Sequence, residues 1–286
     1  MDRHVLIAVS EQKSSLYGVR FVGNFFSDKK TLKSTLFYCT PKAPALWEEE
    51  KSLEANQKQK NQQNKLLAKG KTILEETKKE CIKLGFLQEN ISLKLQTQTF
   101  TKVADIIQEG EKGKYDAVVL GRRGLSMLEK TFEDSVSKAL FSQTFTFPIW
   151  LCKSSDPKRK NVLLYIDGSK TSFRMADHVG FVLSQEKQQR VDILVSEEAG
   201  DTKELTKKCR GILMDHGLPE TLIRQKTVKA DNAAKLIIGE ARKEQYAAVA
   251  LGRSGQEKGL LMRLFKGPIC SVLFKELQET ALWVCR

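Results

Sequence analysis

The sequence predicts an α/β protein made of two doubly wound domains, each a five-stranded, mostly parallel sheet with helices on both faces. Three observations predict it. An apolar run ending in Gly-x-x-Gly occurs twice: AVVLGRRG, Ala117 to Gly124, returns as AVALGRSG, Ala248 to Gly255, 131 residues later in a chain of 286. Strand-like runs alternate with helical periodicity in the same order on either side of the midpoint. Most of those runs are continuously apolar, as strands covered on both faces are.

The first half opens with HVLIAV, a buried-strand pattern, and the segment from Ser15 to about Phe26 has helical periodicity. LKSTLFYC is a second strand. After the proline-containing PKAPALW comes a long polar helical stretch, roughly Glu49 to Leu84. ISLKLQTQ alternates as a third strand, KVADIIQEGEKG is a helix, and YDAVVLG is a fourth strand. LSMLEKTFEDSVSKALFSQ is helical and FPIWLC is the fifth strand.

The second half repeats this order. NVLLYIDGSK supplies strand and turn, TSFRMADHVGFVLSQ a helix, RVDILVSE a strand, and KELTKKCRGILMDHG a helix with a glycine stop. ETLIRQKTV is a strand, NAAKLIIGEARKEQ a helix, YAAVALG a strand, GLLMRLFKGPICSVLFKEL a loop and helix, and ALWVC the last strand. The polar KSSDPKRK, Lys153 to Lys160, reads as a solvated connection. Domains are therefore expected at 1–153 and 154–286.

Composition removes several classes of function. Hydrophobic content of 41% with 29% charged residues is that of a globular protein. No apolar run reaches membrane-spanning length, and MDRHVLIAVS reads as a short strand rather than a signal peptide, so a cytoplasmic protein without a membrane partner is expected. The net charge of +13 lies largely in mixed Lys/Glu/Gln helical text, without an arginine-rich motif or aromatic platform, so nucleic acid is set aside as a partner. The six cysteines are scattered, with no Cys-x-x-Cys pair, and read as small buried or half-buried fillers. With three histidines (His4, His178 and His216) and no clustered ligands, no metal site is expected.

No catalytic constellation emerges. His178 falls in a helical run and His216 before a glycine stop, positions that read as surface or helix-end residues. No Ser-His-Asp arrangement is recognisable, and no residue promises a general base. Trp150 and Trp283 occupy equivalent last-strand positions and read as packing or interface residues.

Each half resembles the universal stress protein family, on three features taken together: an opening strand ending near Asp167-Gly168-Ser169, a penultimate strand ending in Gly-x-x-Gly, and an apolar last strand. The resemblance covers almost the whole chain and implies a tandem arrangement. It also implies an adenine-nucleotide pocket, for ATP or AMP, at the carboxyl ends of the strands, where ATP-binding members carry Gly-x2-Gly-x9-Gly-Ser/Thr. Glycines there let backbone approach ribose and phosphates, and N–H groups of the following helix face an anion.

In the first half the resemblance places Gly121, Arg122, Gly124 and Ser135 at the pocket. Asp134 stands where the pattern has glycine, and the opening strand ends in Ser10-Glu11 without the usual Asp. In the second half it places Asp167, Gly168, Gly252, Arg253 and Gly255 there, with Lys266 as a substitute cation. Phe265-Lys266, or Gly267-Pro268 under a two-residue shift, replaces Gly-Ser/Thr. Asp167 reads equally well as an Asx-turn or helix cap. The last strand is the family's dimerisation edge, which implies an intramolecular pseudo-dimer and leaves a homodimer of tandems open. The function implied is a cytoplasmic stress-response protein with adenine nucleotide as a regulatory ligand in at least one domain. A nucleotide-independent interaction or scaffold protein is the alternative, and an adenylyl-handling enzyme a third reading.

Overall fold

The computed structural model describes residues 2–11, 16–44, 52–121, 147–197, 200–228, 232–252 and 268–285. The first half contains β1 (Arg3–Val9), α1 (Leu16–Phe25), β2 (Leu32–Thr40), α2 (Leu53–Lys83), β3 (Ile91–Thr97), α3 (Lys102–Gly113), β4 (Ala117–Gly121) and β5 (Ile149–Cys152). The second contains β6 (Val162–Ile166), α4 (Lys170–Leu183), β7 (Val191–Ser196), α5 (Thr202–Asp215), β8 (Ile223–Val228), α6 (Ala233–Glu244), β9 (Ala248–Gly252), α7 (Pro268–Glu276) and β10 (Ala281–Cys285). The helical text at 125–143 and the loop before α7 lie outside the described residues.

The two five-stranded sheets are fused into one of ten strands, in the order β3-β2-β1-β4-β5-β10-β9-β6-β7-β8. Every neighbouring pair is parallel except β5 and β10, which run antiparallel with Trp150 opposite Trp283. These two strands are wholly buried and apolar, so neither could leave its backbone N–H and C=O groups on an open edge without cost. The outermost strands, β3 and β8, instead carry exposed polar positions.

Amphipathic helices cover both faces. Val19, Val22, Leu74, Cys81, Met175, Val179, Cys209 and Leu213 put α1, α2, α4 and α5 on one core. Val103, Ile106, Ile237, Ala241 and Leu273 put α3, α6 and α7 on the other. Each core runs through both halves. Side-chain caps start the helices where the sequence supplies them: Ser52 for α2, Thr101 for α3, Ser169 for α4, Asp201 for α5 and Asn232 for α6.

Registers make the halves comparable residue by residue. Val5 and Val162 face Ala117 and Ala248 respectively, which makes Thr35 equivalent to Asp192 and Lys94 to Lys226. The equivalence extends to details the sequence reading did not reach. Lys114 and Gln245, both left-handed with φ of 50° and 53°, end α3 and α6 at matching positions. Behind them sit matching Lys, Glu and Tyr side chains. Lys94 pairs with Glu109 at 2.7 Å while Tyr115 donates to the same carboxylate at 2.8 Å. In the second half Lys226 pairs with Glu240 at 2.8 Å, whereas Tyr246 donates to buried Asp192.

Three local differences from the sequence reading have physical causes. Residues 220–222 form a 3-10 turn rather than the start of a strand, because Pro219 cannot continue a ladder and its carbonyl accepts from Leu222. The connection at 153–160 is tethered and half-buried, with Pro157 and Lys158 exposed: Arg159 pairs with Asp156 at 3.5 Å and with Glu279, and Asn24 donates to Ser155 at 3.2 Å. His178 is buried at the centre of the junction rather than at the surface, with Trp150 Nε1 donating to its Nε2 at 3.0 Å. His216 does end α5, where it bonds to Asp177 at 2.8 Å. All six cysteines are buried and free.

Candidate functional site

In a doubly wound sheet the crevice opens where strand order reverses, at the carboxyl ends of the strands. The reversal here falls between β1 and β4 in the first half and between β6 and β9 in the second. Of the residues singled out in the sequence, Gly121 closes β4, Gly252 closes β9, and Asp167 with Gly168 follows β6. Arg122, Gly124, Ser135, Arg253, Gly255 and Lys266 lie outside the described residues.

The second-half crevice is filled by its own backbone. A Cβ on Gly252 would lie 2.0 Å from the Thr171 carbonyl carbon and 2.2 Å from Ser172 N, so this glycine exists to admit the first turn of α4. Asp167 Oδ1 accepts from Ser169 N at 3.0 Å and Ser169 Oγ at 2.6 Å. Ser169 in turn caps α4 through Ser172 N at 3.1 Å. Gly168 sits at φ 82°, where an L side chain would be strained. Asp167, Gly168 and Ser169 thus form one turn-and-cap unit. Among the described residues, Asp167 Oδ2 takes no bond.

The first-half crevice is built differently. At the end of β1, Glu11 accepts from Lys69 at 2.7 Å and from Tyr38 Oη at 3.1 Å. The Lys69 hydrogen bond, with a further contribution from Tyr38, holds this carboxyl below its usual range. Beside it, between α1 and α2, opens a cavity of about 520 Å³ lined by Ser10, Glu11, Arg20, Thr77 and Lys83 among others. Its rim mixes both charges and does not include Gly121.

On the α3 side of the same edge lies Asp105, a residue the sequence reading missed. Its side chain is 0% exposed. Oδ2 accepts from Thr99 N at 3.0 Å and from Cys39 Sγ at 3.4 Å. Burial, reinforced by Asp105, pushes the Cys39 thiol up to about 12, so it stays protonated and acts as a donor. Oδ1 is buried with no hydrogen-bond partner among the described residues. A buried polar atom left unpaired costs about 1–3 kcal/mol. The signal was present in the repeat: the matching helical position is Leu236, an ordinary core-facing residue.

No family model and no curated protein sequence matches this chain. Solved structures do. A universal stress protein from Archaeoglobus fulgidus aligns over 99% of this chain and 96% of its own, at TM-score 0.69 and 16% identity. A functionally unknown protein from Pseudomonas aeruginosa aligns over 99% and 92%, at TM-score 0.52 and 13% identity. The chain has the universal stress protein fold. In that fold, duplicated along one polypeptide, Gly121 and Gly252 occupy matching strand ends. Among the described residues of this universal stress protein fold, no three His, Cys, Asp or Glu side chains gather in a metal-ligating arrangement, and no helix is long and apolar enough to cross a membrane.

Proposed function

We propose that the chain is a stress-response protein of the universal stress type that binds an adenine nucleotide, ATP or AMP, as a regulatory ligand at the carboxyl edge of its first half. The observation carrying this reading is the crevice at the reversal of strand order in that half, with Gly121 closing β4 beside it and a cavity of about 520 Å³ opening next to Glu11. The proposal includes two duplicated units, 1–153 and 154–286, held as a pseudo-dimer through β5 and β10. Six free cysteines fit a reducing compartment and support a cytoplasmic location.

The turn-and-cap unit at Asp167 and the occupied Gly252 favour a second reading for the other half: a scaffold that keeps the fold and has no nucleotide. One experiment tests both. Purified protein is denatured and the supernatant analysed by mass spectrometry for ATP, ADP and AMP, alongside calorimetric titration of nucleotide-free protein with ATP and AMP. One equivalent bound per chain is expected, unchanged in Asp167→Ala. Absence of released nucleotide together with a flat titration overturns the reading and leaves the scaffold.

A further inference from the structure

We infer that the projecting half of α2 is a docking surface for duplex DNA, gripping the phosphate backbones on either side of the major groove without reading sequence. It requires no nucleotide in the first-half crevice.

α2 has 31 residues where its counterpart α5 has 14. Both helices stop at matching glycines, Gly85 and Gly217, with φ of 85° and 86°, so the 17 extra residues, 53–69, lie at the amino end. Gly70 packs against Tyr38 and Leu95, near the ends of β2 and β3. The extra segment therefore stands beyond the carboxyl edge of the sheet, about 25 Å long at about 1.5 Å per residue. It is held there by its own bonds. Thr40 Oγ1 donates to the Leu66 carbonyl at 3.2 Å, Gln59 Nε2 donates to the Pro44 carbonyl at 2.7 Å, and Gln63 Oε1 accepts from Ala43 N at 2.8 Å. The half-buried stripe of Ala55, Gln59, Gln63, Leu66 and Leu67 follows these contacts. The second half keeps the same sheet without such a segment, so core packing does not call for it.

Charge is segregated along this helix. From Leu53 to Lys71 it carries five lysines and one glutamate, Glu54, whereas Glu75, Glu76 and Glu80 all lie in the half packed on the sheet. As composition the lysines belong to mixed Lys/Glu/Gln text and give no reason for a nucleic acid; on the helix they stand together. At about 3.6 residues per turn, Lys58, Lys65 and Lys69 fall on one flank of the exposed face and Lys60 and Lys71 on the other. Gln57, Asn61 and Asn64 lie between the flanks, and all eight side chains are exposed. Lys58 pairs with Glu54 at 2.9 Å and Lys69 with Glu11 at 2.7 Å, exposed pairs that a phosphate displaces at little cost. Lys60, Lys65 and Lys71 have no ion pair among the described residues.

This chemistry selects the occupant. Lysine, asparagine and glutamine are side chains that contact the nucleic-acid backbone. A protein partner is held by buried aromatic or apolar anchors, and Leu53 at the tip is the one large apolar side chain exposed on this segment among the described residues. A membrane surface needs an apolar stripe facing outward, and Leu66 and Leu67 are turned toward the chain after β2. Single strands are held by aromatic stacking, and no aromatic residue occurs between Leu53 and Gly85. A helix about 10–12 Å across fits the major groove of DNA, about 12 Å wide, whereas that of duplex RNA is too narrow. Seated there, the two lysine flanks face opposite phosphate walls. The net charge of +13 on the chain favours the approach.

The test is fluorescence anisotropy of a labelled duplex DNA of mixed sequence, titrated with the full chain at rising potassium chloride. A Kd of about 10⁻⁴–10⁻⁶ M at physiological salt is expected, the same for a second, unrelated duplex. The logarithm of affinity should fall against that of salt with a slope of about −4, since each neutralised phosphate contributes about −0.9. Lys58→Gln/Lys60→Gln/Lys65→Gln should bind at least about tenfold more weakly, with a slope near about −2 and an unchanged thermal midpoint. Lys203→Gln/Lys207→Gln/Lys243→Gln removes the same charge from exposed positions of the second half and should keep both affinity and slope. Equal losses in the two triple variants assign binding to net charge and overturn the role of α2. No binding by wild type at low salt overturns it outright. Duplex RNA bound as tightly as duplex DNA overturns the seating in the major groove. Polyglutamate bound as tightly as DNA overturns the choice of nucleic acid in favour of an acidic protein.

Discussion

Trp150 and Trp283 lie face to face at opposed positions of the antiparallel β5–β10 pair, ring centroids 4.2 Å apart and planes 8° apart. Both are fully buried, and Phe21, Phe25 and Phe26 pack their edges and faces around them. The strands are related by symmetry but the side chains around them are not: Val182 and Leu183 stand where the first half has Phe25 and Phe26. Register makes His178 on α4 the counterpart of Phe21 on α1. His178 accepts the Trp150 indole N–H, but Phe21 has no acceptor, and Trp283 Nε1 is buried without a partner among the described residues.

His178→Phe copies the first-half residue at this position and leaves both indole N–H groups unpaired. The expected loss is about 1–3 kcal/mol of unfolding free energy at neutral pH, the cost of an unsatisfied buried donor. Urea denaturation of the variant beside wild type measures it. A midpoint equal to wild type would show that the hydrogen bond adds nothing to packing.

The same histidine makes stability depend on pH. Burial lowers its folded pKa to about 3, against an ordinary value of 6.5. Between these values the unfolded chain carries the proton and the folded chain does not. The contribution is therefore complete above pH 6.5 and is lost as pH falls toward 3, at a limiting slope of about 1.4 kcal/mol per pH unit. Unfolding free energies at pH 7, 6 and 5 should converge between wild type and His178→Phe as pH falls.

Gly252→Ala places a methyl group within 2.2 Å of the Thr171–Ser172 backbone, where no flexible side chain can yield. A loss of about 1–3 kcal/mol is expected from overpacking, with the second half's β9–α4 contact disturbed first. Hydrogen exchange of the α4 amides localises it. Unchanged exchange there would mean that the helix start moves away freely.

Arg3 and Glu186 join the halves by an ion pair of 3.1 Å between side chains 2% and 1% exposed. Arg3 also donates to the Val182 carbonyl at 2.9 Å, and Glu186 accepts from Ser27 N at 3.1 Å. Arg3→Met strands a buried carboxylate and should cost about 3–5 kcal/mol. In Arg3→Met/Glu186→Gln the stranded charge is gone while an acceptor for Ser27 remains, so the double variant should be more stable than Arg3→Met. Denaturation midpoints of wild type, both singles and the double decide it.

Much of this fold was legible because its signals are local. Continuous apolar runs, glycine stops and capping residues such as Ser169 and Asn232 each act within a few residues, and the repeat doubled several of them. What escaped depends on distant partners. Arg3 at the start of a strand shows no sign of a glutamate 183 residues away, and His178 lies on a helix like any other until Trp150 arrives from another strand. Asp105 reads as an acidic residue in a first helical turn, a common and favourable place for one. Only comparison with Leu236, position by position through the repeat, marks it as out of keeping. Gly252 was visible as a glycine but not for its cause, since the backbone it admits belongs to a helix some eighty residues earlier in the chain.

The antiparallel seam at β5 and β10 changes how the two halves depend on concentration. Strands that pair between separate molecules come apart on dilution; these are tethered, and each meets its partner at a fixed effective concentration. Dilution therefore cannot separate them. With the seam closed inside one chain, β3 and β8 are the sheet edges among the described residues, and both carry exposed polar positions.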